Sequence, residues 1–207
     1  QSLGAFLSKN IKINLIGDAN DYVAKGLSGG TIIVRPSEDN KFKTDENTII
    51  GNTVLYGATA GKLFASGQAG ERFAVRNSGG LAIVEGCGAH GCEYMTGGTA
   101  IILGQVGDNF AAGMTGGMAF VYDIKNNFEN YVNPTSVIWQ SIETDYWKKF
   151  LKGNLEMFLY ATRSLRAKKI LENFNVELKH FKQICPIEML DKLSNPITLQ
   201  NKNKKAS

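Results

Sequence analysis

Residues that carry covalent cross-links or proton-transfer chemistry are scarce in this sequence. Its 207 residues include three cysteines and two histidines. A small, odd number of cysteines does not support a disulfide framework and favours a reducing compartment, so we expect a cytoplasmic location. A nucleophilic site needs a base beside its nucleophile, and neither His90 nor His180 stands in a recognisable catalytic triad. The sequence therefore predicts no catalytic residue.

Long apolar runs are also missing. No apolar stretch reaches the ~18 residues that a membrane-spanning helix requires, and residues 1–4 lack the basic start of a secretory leader. Positive charge is concentrated after residue 135, where 13 basic side chains accompany 7 acidic ones. These basic residues are not interleaved with aromatic residues as in a nucleic-acid-binding patch. We therefore expect neither a membrane nor a nucleic acid as a partner.

Glycine is distributed unevenly and divides the chain. Of the 23 glycines, 22 precede residue 135 and only Gly153 follows it. We predict three segments: a glycine-repeat domain over residues 1–135, a helical extension over residues 136–190 and a flexible tail over residues 191–207. In the extension, apolar residues recur at intervals of three and four from Val137 to Leu159 and again from Leu165 to Phe174, which predicts helices.

The glycine-rich region contains a repeat of 18 or 19 residues. The phrase Met-Thr-Gly-Gly stands at residues 95–98 and again at 114–117, each time before a short apolar run. Aligning the chain on the second position of such pairs gives five units, and residues 1–16 form part of a sixth. The reference positions are Gly30, Gly61, Gly80, Gly98 and Gly117. A polar stretch over residues 35–43 lengthens the first interval to 31 residues.

Units of this length can bury an apolar face only by stacking on one another, which predicts a β-solenoid with about 19 residues per turn. At about 4.8 Å per turn the stack would be on the order of 25 Å long. The five reference glycines are predicted to be structural turn residues. They mark corners where the backbone needs a positive φ, or where a neighbouring turn leaves no space for a Cβ.

Alternation along each predicted strand separates an inner from an outer face. Positions two and four after the reference glycine are small or medium-sized and apolar, which suits a narrow interior. Position three is large and apolar in every unit and forms a row that we call the outer ladder: Ile33, Phe64, Ile83, Ile101 and Phe120. An exposed strip of this kind is unusual, so the ladder is a candidate interface. We expect the helices after Val137 to cover it at least in part, with a neighbouring domain or a second copy of the chain as the alternatives.

Three residues suggest a metal site at first. Cys87, His90 and Cys92 are close in sequence, but a structural zinc needs four ligands. Cys92 also shares its repeat column with apolar residues, which places it in the core: Ala24, Leu55, Ala74 and Ala111. The glycines from Gly104 onward lead into another strand rather than a helix, so they do not predict a phosphate site. We predict no metal-binding and no cofactor-binding residue.

Charged residues at the predicted corners and strand ends have two interpretations. The favoured one is salt bridges and turn bonds between coils, and the alternative is contact with a partner domain. These residues are Asp18, Asp21, Glu71, Arg72, Arg76, Glu85 and Glu93.

Several long strings resemble the C-terminal glycine-repeat (GXGXG) domain of the glutamate synthase large subunit. They are GDANDYVAKGLSGG at 17–30, NTIIGNTVLYGAT at 47–59, AGERFAVRNS at 69–78, HGCEYMTGG at 90–98 and NFAAGMTGG at 109–117. The resemblance extends over residues 1–190, and residues 162–164 and 181–186 are similar to the closing helices of that family. Two positions depart from the family pattern: Arg163 replaces a glycine and Phe158 replaces a histidine.

The resemblance implies a right-handed, single-stranded β-helix that acts as a structural part of a larger oxidoreductase. That family moves the amide nitrogen of glutamine to 2-oxoglutarate, and its nucleophile lies in an N-terminal domain. Its flavin mononucleotide and iron–sulfur cluster lie in a central barrel, so no cofactor is expected in this chain. The expected partners are the catalytic domains or subunits of glutamate synthase, and the chain alone is expected to be non-catalytic in glutamate biosynthesis.

Two other functions remain open. The chain is also similar to the repeat subunit of formylmethanofuran dehydrogenase, which would make it an independent, non-catalytic solenoid subunit or interaction module, capable of self-association. A polysaccharide-cleaving β-helix would need a carboxylate or basic cluster on one outer strand, and the repeat columns contain none.

Overall fold

A computed structural model describes residues 1–198 of the chain. Within them, nine strands form a single sheet: β1 (Lys12–Ile16), β2 (Ser28–Arg35), β3 (Thr48–Ile50), β4 (Ala60–Ala69), β5 (Ser78–Cys87), β6 (Thr96–Ile102), β7 (Gly116–Tyr122), β8 (Val137–Ser141) and β9 (Phe181–Pro186). Three helices lie between β8 and β9: α1 (Asp145–Thr162), α2 (Leu165–Glu172) and α3 (Phe174–Glu177). No helix within residues 1–198 has the length and apolarity needed to cross a bilayer.

Six of these strands stack as successive turns of one coil. They follow the order β1-β2-β4-β5-β6-β7, and each pairs with the next in parallel. Leu63 pairs with Ala82, Ala82 with Ala100, and Ala100 with Ala119, so equivalent residues are 18 or 19 positions apart. The predicted mainly-β fold is confirmed: the chain forms a β-solenoid of about six turns with about 19 residues per turn. Residues 1–16 supply its first turn, as predicted.

The interior of the solenoid is apolar along its whole length. Strand residues at positions two and four after the reference glycine all belong to one buried cluster, which also contains Cys87 and Cys92. At position two the interior side chain becomes smaller along the stack, from Ile32 and Leu63 to Ala82, Ala100 and Ala119. Alternation along the strands therefore predicted the inner face correctly.

Each turn also contains a corner in which every second residue has a left-handed backbone. The φ values lie between +52 and +67 in these six sets: Ser2, Gly4 and Phe6; Tyr22, Ala24 and Gly26; Thr53, Leu55 and Gly57; Arg72, Ala74 and Arg76; His90, Cys92 and Tyr94; Asn109, Ala111 and Gly113. Most of these residues carry a side chain, and a left-handed L-residue costs about 1–2 kcal/mol. The sequence analysis did not predict this corner.

Hydrogen bonding explains why these corners persist. The amide of Tyr22 donates to the following turn at Asn52 (2.9 Å), whereas the amide of Ala24 donates to the preceding turn at Leu3 (2.9 Å). Within the corner itself, the amide of Lys25 donates to the carbonyl of Tyr22 (3.2 Å) and so forms a local turn. Because buried backbone groups are costly when unpaired, this pairing offsets the conformational strain.

The C-terminal part of the chain closes one end of the solenoid and is not wholly helical. β9 pairs antiparallel with β7 and then with β8, which extends the sheet by two strands. The helical prediction for residues 136–190 is therefore wrong at Val137 and Ile138, which lie in β8. A short apolar run is compatible with both structures, and here β9 provides the pairing partner that decides for a strand.

The prediction of a flexible tail is wrong for residues 191–198. The side chain of Ile197 is buried, and its carbonyl accepts a hydrogen bond from Gln140 (2.8 Å). The carbonyl of Asn195 accepts another from the indole of Trp147 (3.1 Å). The rest of the predicted tail, residues 199–207, lies outside the described residues.

Candidate functional site

The reference glycines lie near the starts of the strands. Gly61, Gly98 and Gly117 have φ values of +100, +79 and +81, which an L side chain rarely adopts. Gly30 and Gly80 lack a left-handed φ, but neighbouring side-chain atoms stand 2.6 Å and 3.1 Å from where a Cβ would lie. Three turns thus require glycine for its backbone conformation, and the other two require it because a side chain would lack space.

The tightest contacts are at the glycines one residue earlier. A Cβ at these positions would lie 2.0–2.2 Å from a carbonyl oxygen of the preceding turn, whereas real Cβ atoms essentially never come within 3.0 Å of another heavy atom. The pairs are Gly79 with Thr59, Gly97 with Ser78, and Gly116 with Thr96. Successive turns therefore meet backbone to backbone along this column.

The outer ladder is covered by the chain's own helices. All five of its side chains are at most 4% exposed, and they share one buried cluster with residues of α1 and α2. Phe158 of α1 meets Phe64 edge to face, with ring centroids 5.9 Å apart, and Trp147 packs on Phe120 at 6.0 Å. Burying five such side chains is worth on the order of 10 kcal/mol. The ladder is therefore not open to a partner domain, which corrects that interpretation of the candidate interface.

Next to the ladder, a second outer column carries polar groups. It occupies the position two residues beyond the ladder and consists of Arg35, Ser66, Glu85, Leu103 and Tyr122. It meets the joint between α1 and α2 and the loop over residues 36–47. We call this region the polar seam, because it joins the solenoid, the helices and the loop.

Glu85 is the centre of the polar seam. Its side chain is fully buried, and one carboxyl oxygen, Oε1, accepts hydrogen bonds from the hydroxyls of Ser66 (3.0 Å) and Ser164 (2.5 Å). The other oxygen, Oε2, has no hydrogen-bond partner among the described residues. Burial raises the pKa of the Glu85 carboxyl, and the hydroxyl donors offset this only in part. Glu85 therefore forms no salt bridge among the described residues, whereas its contact with Ser66 of the preceding turn is of the other predicted kind, a hydrogen bond between coils.

Ion pairs lie on both sides of Glu85. Arg166 binds Asp45 through a 2.5 Å contact and donates to the carbonyl of Leu103 (2.7 Å). The guanidinium of Arg166 also lies 5.4 Å from the ring centroid of Tyr122. Burial, reinforced by a hydrogen bond to Glu177, raises the pKa of the Tyr122 hydroxyl. These contacts hold the loop and α2 onto the solenoid.

The second flank of the seam is formed by Arg163. This residue ends α1 with a left-handed backbone (φ +59), a conformation that glycine most often supplies at the end of a helix. Its guanidinium pairs with Glu38 of the loop, which also lies 3.8 Å from Arg35. Loop, helix joint and solenoid are thus linked by charged contacts as well.

The cysteines and histidines form no metal cluster. Burial raises the pKa of the Cys87 thiol to about 12, that of Cys185 to about 11 and that of Cys92 well above its usual value. All three therefore remain thiols at neutral pH, whereas metals and electrophiles bind thiolates. No group of three or more His, Cys, Asp or Glu side chains in residues 1–198 could hold a metal ion.

His90 belongs to a polar row on the corner surface. Its Nδ1 lies 3.2 Å from the side-chain nitrogen Nδ2 of Asn109, and the side-chain oxygen Oδ1 of Asn109 accepts a hydrogen bond from Asn133 (2.8 Å). The carboxylate of Glu93 lies 3.5 Å from the same ring nitrogen. At another corner, Asp21 accepts a hydrogen bond from the amide of Asn52 (2.8 Å) in the following turn. These contacts fit the predicted role of such residues as bonds at and between turns.

Comparison with known proteins agrees with the motifs in the sequence. The GXGXG motif family matches residues 1–187. The "Glutamate synthase [NADPH] large chain" of Azospirillum brasilense is 60% identical over 199 residues, which are 96% of this chain and 13% of that protein. The "Ferredoxin-dependent glutamate synthase" of Antithamnion sp. is 50% identical over 90% of this chain and 12% of its own length. The "Glutamate synthase [NADH]" of Schizosaccharomyces pombe is 50% identical over 91% of this chain and 9% of its own length.

The chain thus spans only about a tenth of the length of these relatives. Its similarity to them extends through the solenoid, the outer ladder and the polar seam. The chain therefore belongs to the GXGXG motif family, and its homologues are glutamate synthase large chains.

Proposed function

We propose that the chain is the structural solenoid domain of a glutamate synthase large chain, and that it does no chemistry itself. The observation that carries this proposal is the use of both faces of the solenoid strands for packing. The inner face fills the interior, and the outer face is covered by α1 and α2. Catalysis, the transfer of the glutamine amide nitrogen to 2-oxoglutarate, would belong to the rest of a protein that is several times longer.

The names of the relatives support a role that is independent of the electron donor. NADPH, ferredoxin and NADH are named in three different relatives, yet each is at least 50% identical to this chain over at least 90% of its length. We therefore place the flavin mononucleotide and the iron–sulfur cluster outside this chain. The cysteines fit this placement, because they are buried thiols in two separate cores rather than a set of four thiolates.

The partners we propose are the catalytic domains of the same large chain, in the cytoplasm. The outer ladder does not provide the contact, because α1 covers it. The same burial removes the basis for self-association through the ladder. Contact with the catalytic domains would then involve the exposed side of the helices, the loop over residues 36–47 or the corners of the solenoid.

One observation favours the second candidate, an independent solenoid subunit. The helices that bury the outer ladder belong to the same chain, so these 198 residues cover the ladder without a partner. A chain of this kind can fold without a partner. The two candidates share the expectation that no catalytic residue lies here.

An assay of the purified 207-residue chain tests the non-catalytic role. We expect the chain to unfold cooperatively, which shows that it is folded, and to form no glutamate from glutamine, 2-oxoglutarate and a reduced donor. Glutamate formation that increases with the concentration of folded chain would contradict the proposal.

A further inference from the structure

The polar seam contains a buried acid that the scaffold role alone does not explain. Glu85 has no exposed surface and forms no ion pair with any of the described residues, although cations lie nearby. Burying an unpaired carboxylate is costly, and proteins commonly avoid the cost by binding a proton instead. The groups around Glu85 therefore decide whether its carboxyl is charged or protonated in the folded protein.

The groups around Glu85 come from three parts of the chain. The β4 strand contributes Ser66, and the start of α2 contributes Ser164. The loop contributes the hydroxyl of Thr44, which favours the charged form as the two serine hydroxyls do, and the carboxylate of Asp45, which opposes a second negative charge. The guanidinium of Arg166 in α2 binds Asp45 and the carbonyl of Leu103 instead of Glu85.

The two carboxyl oxygens have different surroundings. Oε1 accepts two hydroxyl protons, which fills the two lone pairs of a carbonyl oxygen. Oε2 is packed without a hydrogen-bond partner among residues 1–198. A charge shared by both oxygens would leave half of it on an unsolvated atom, whereas a proton on Oε2 removes that charge.

No ligand reaches the carboxyl from solvent. An open cleft of about 650 Å³ lies between the loop and the helix joint, and Ser66, Thr162 and Arg166 contribute to its wall. Glu85 does not line this cleft. A cation or substrate in this cleft would therefore not touch the carboxyl, whereas a proton on Oε2 needs no such opening.

We propose that Glu85 is a neutral carboxylic acid in the folded protein, and that in this protonated form it holds the α1–α2 joint and the loop against the solenoid. We call this arrangement a proton-linked latch. Ser164 connects the acid to the helix, because its Oγ donates to Glu85 and also accepts from the amide of Ala167 (3.0 Å) as the N-cap of α2. Loss of the proton places a buried charge at this joint and loosens it. The proposal rests on the geometry of the seam and does not depend on the function of the chain.

The direct test is a ¹³C NMR titration of the glutamate side chains in the intact chain. Glu85 should remain protonated well above pH ~4.3, where a glutamate in an unfolded chain loses its proton. Hydroxyl donors favour the charged form, so Ser66→Ala should move the Glu85 midpoint to still higher pH. Asp45→Asn should move it to lower pH, because it removes a negative charge. Titration of Glu85 near pH ~4.3, as in an unfolded chain, would overturn the proposal.

A second test compares the pH dependence of folding in the wild type and in Glu85→Gln, which has the same shape and no charge. The folded wild type holds a proton that the unfolded chain loses near pH 4.3, so its stability should fall as pH rises above that value. Relative to Glu85→Gln, the folded-to-unfolded ratio should fall by up to tenfold per pH unit until Glu85 ionises in the folded state. The control Glu156→Gln should show no such divergence.

The latch itself is tested by hydrogen exchange at the amide of Ala167. After correction for intrinsic exchange, protection in the wild type should decrease at high pH while that in Glu85→Gln stays constant. Equal pH dependence in the two proteins would refute a latch. If Glu85→Gln failed to fold, the titration of the wild type and of Ser66→Ala would still decide the question.

Discussion

A single methyl group at Gly116 should separate the turns of the solenoid. An added Cβ would lie 2.0 Å from the carbonyl oxygen of Thr96, and the backbone φ there is not left-handed, so the effect is purely steric. Restoring an ordinary contact requires a shift of about 1 Å, which lengthens the hydrogen bonds from Thr115 (2.9 Å) and Gly116 (3.2 Å) to the preceding turn. Overpacking costs about 1–3 kcal/mol, and each weakened hydrogen bond costs about 0.5–1.5 kcal/mol. We therefore expect Gly116→Ala to lose about 2–6 kcal/mol of unfolding free energy.

Two matched variants isolate the causes. Gly57→Ala adds a methyl group to open space at a left-handed φ of +64, so it should cost only about 1–2 kcal/mol. Gly153→Ala adds one to open space within α1, so it should be neutral or stabilising by up to about 1 kcal/mol. Urea unfolding followed by circular dichroism gives the three values. If Gly116→Ala were as stable as Gly57→Ala, the close stacking of the turns would be wrong.

Three further predictions concern the C-terminal part. Arg163→Gly should be neutral or stabilising by up to about 1 kcal/mol in thermal melts, because it removes the strain of a left-handed residue and loses only an exposed ion pair. Arg163→Ala keeps the strain and should destabilise the chain. The reverse order would contradict the left-handed conformation of residue 163. Gln183→Leu should stabilise the chain by about 1 kcal/mol in urea unfolding, because Oε1 of this buried side chain has no partner among the described residues; a loss of stability would show that a hydrogen bond is made there. A chain ending at Asp123 should associate in light scattering, because it exposes the outer ladder and the edge of β7; a monomer would show that the ladder does not need its cover.

The inner and outer faces of the solenoid could be predicted because they follow the alternation of side chains along a strand. Ile83 and Val84 differ in direction simply by being neighbours, and the repeat fixes which of them faces inward. The cover on the outer ladder followed from its size, since five large apolar side chains are rarely left in water. These inferences need only local sequence and a repeat.

The left-handed corners could not be predicted in the same way. Their columns contain residues as different as Tyr22, Arg72 and His90, and side chains of this kind rarely have positive φ. One signal was present: Gly26, Gly57 and Gly113 occupy the same column in three turns. The backbone bonds to both neighbouring turns, which sequence does not show, stabilise the other members.

The burial of Glu85 depends on contacts between distant parts of the chain. Its hydrogen-bond partner Ser164 is 79 positions away, and a carboxylate near the end of a strand normally faces solvent. The strand β8 was predicted as a helix because its pairing partner β9 comes about 40 residues later in the chain. In both places a tertiary contact, which the local pattern does not show, determines the structure.

A segment exchange tests the central claim, that this chain supports catalysis without taking part in it. The matching segment of the Azospirillum brasilense large chain, 60% identical, would be replaced by this chain. We predict that the hybrid retains its cofactor content and turns over within about threefold of the parent, and that Cys92→Ala or His90→Ala changes kcat by no more than that. A fully loaded hybrid whose kcat fell at least tenfold on either substitution would show that the solenoid takes part in the chemistry.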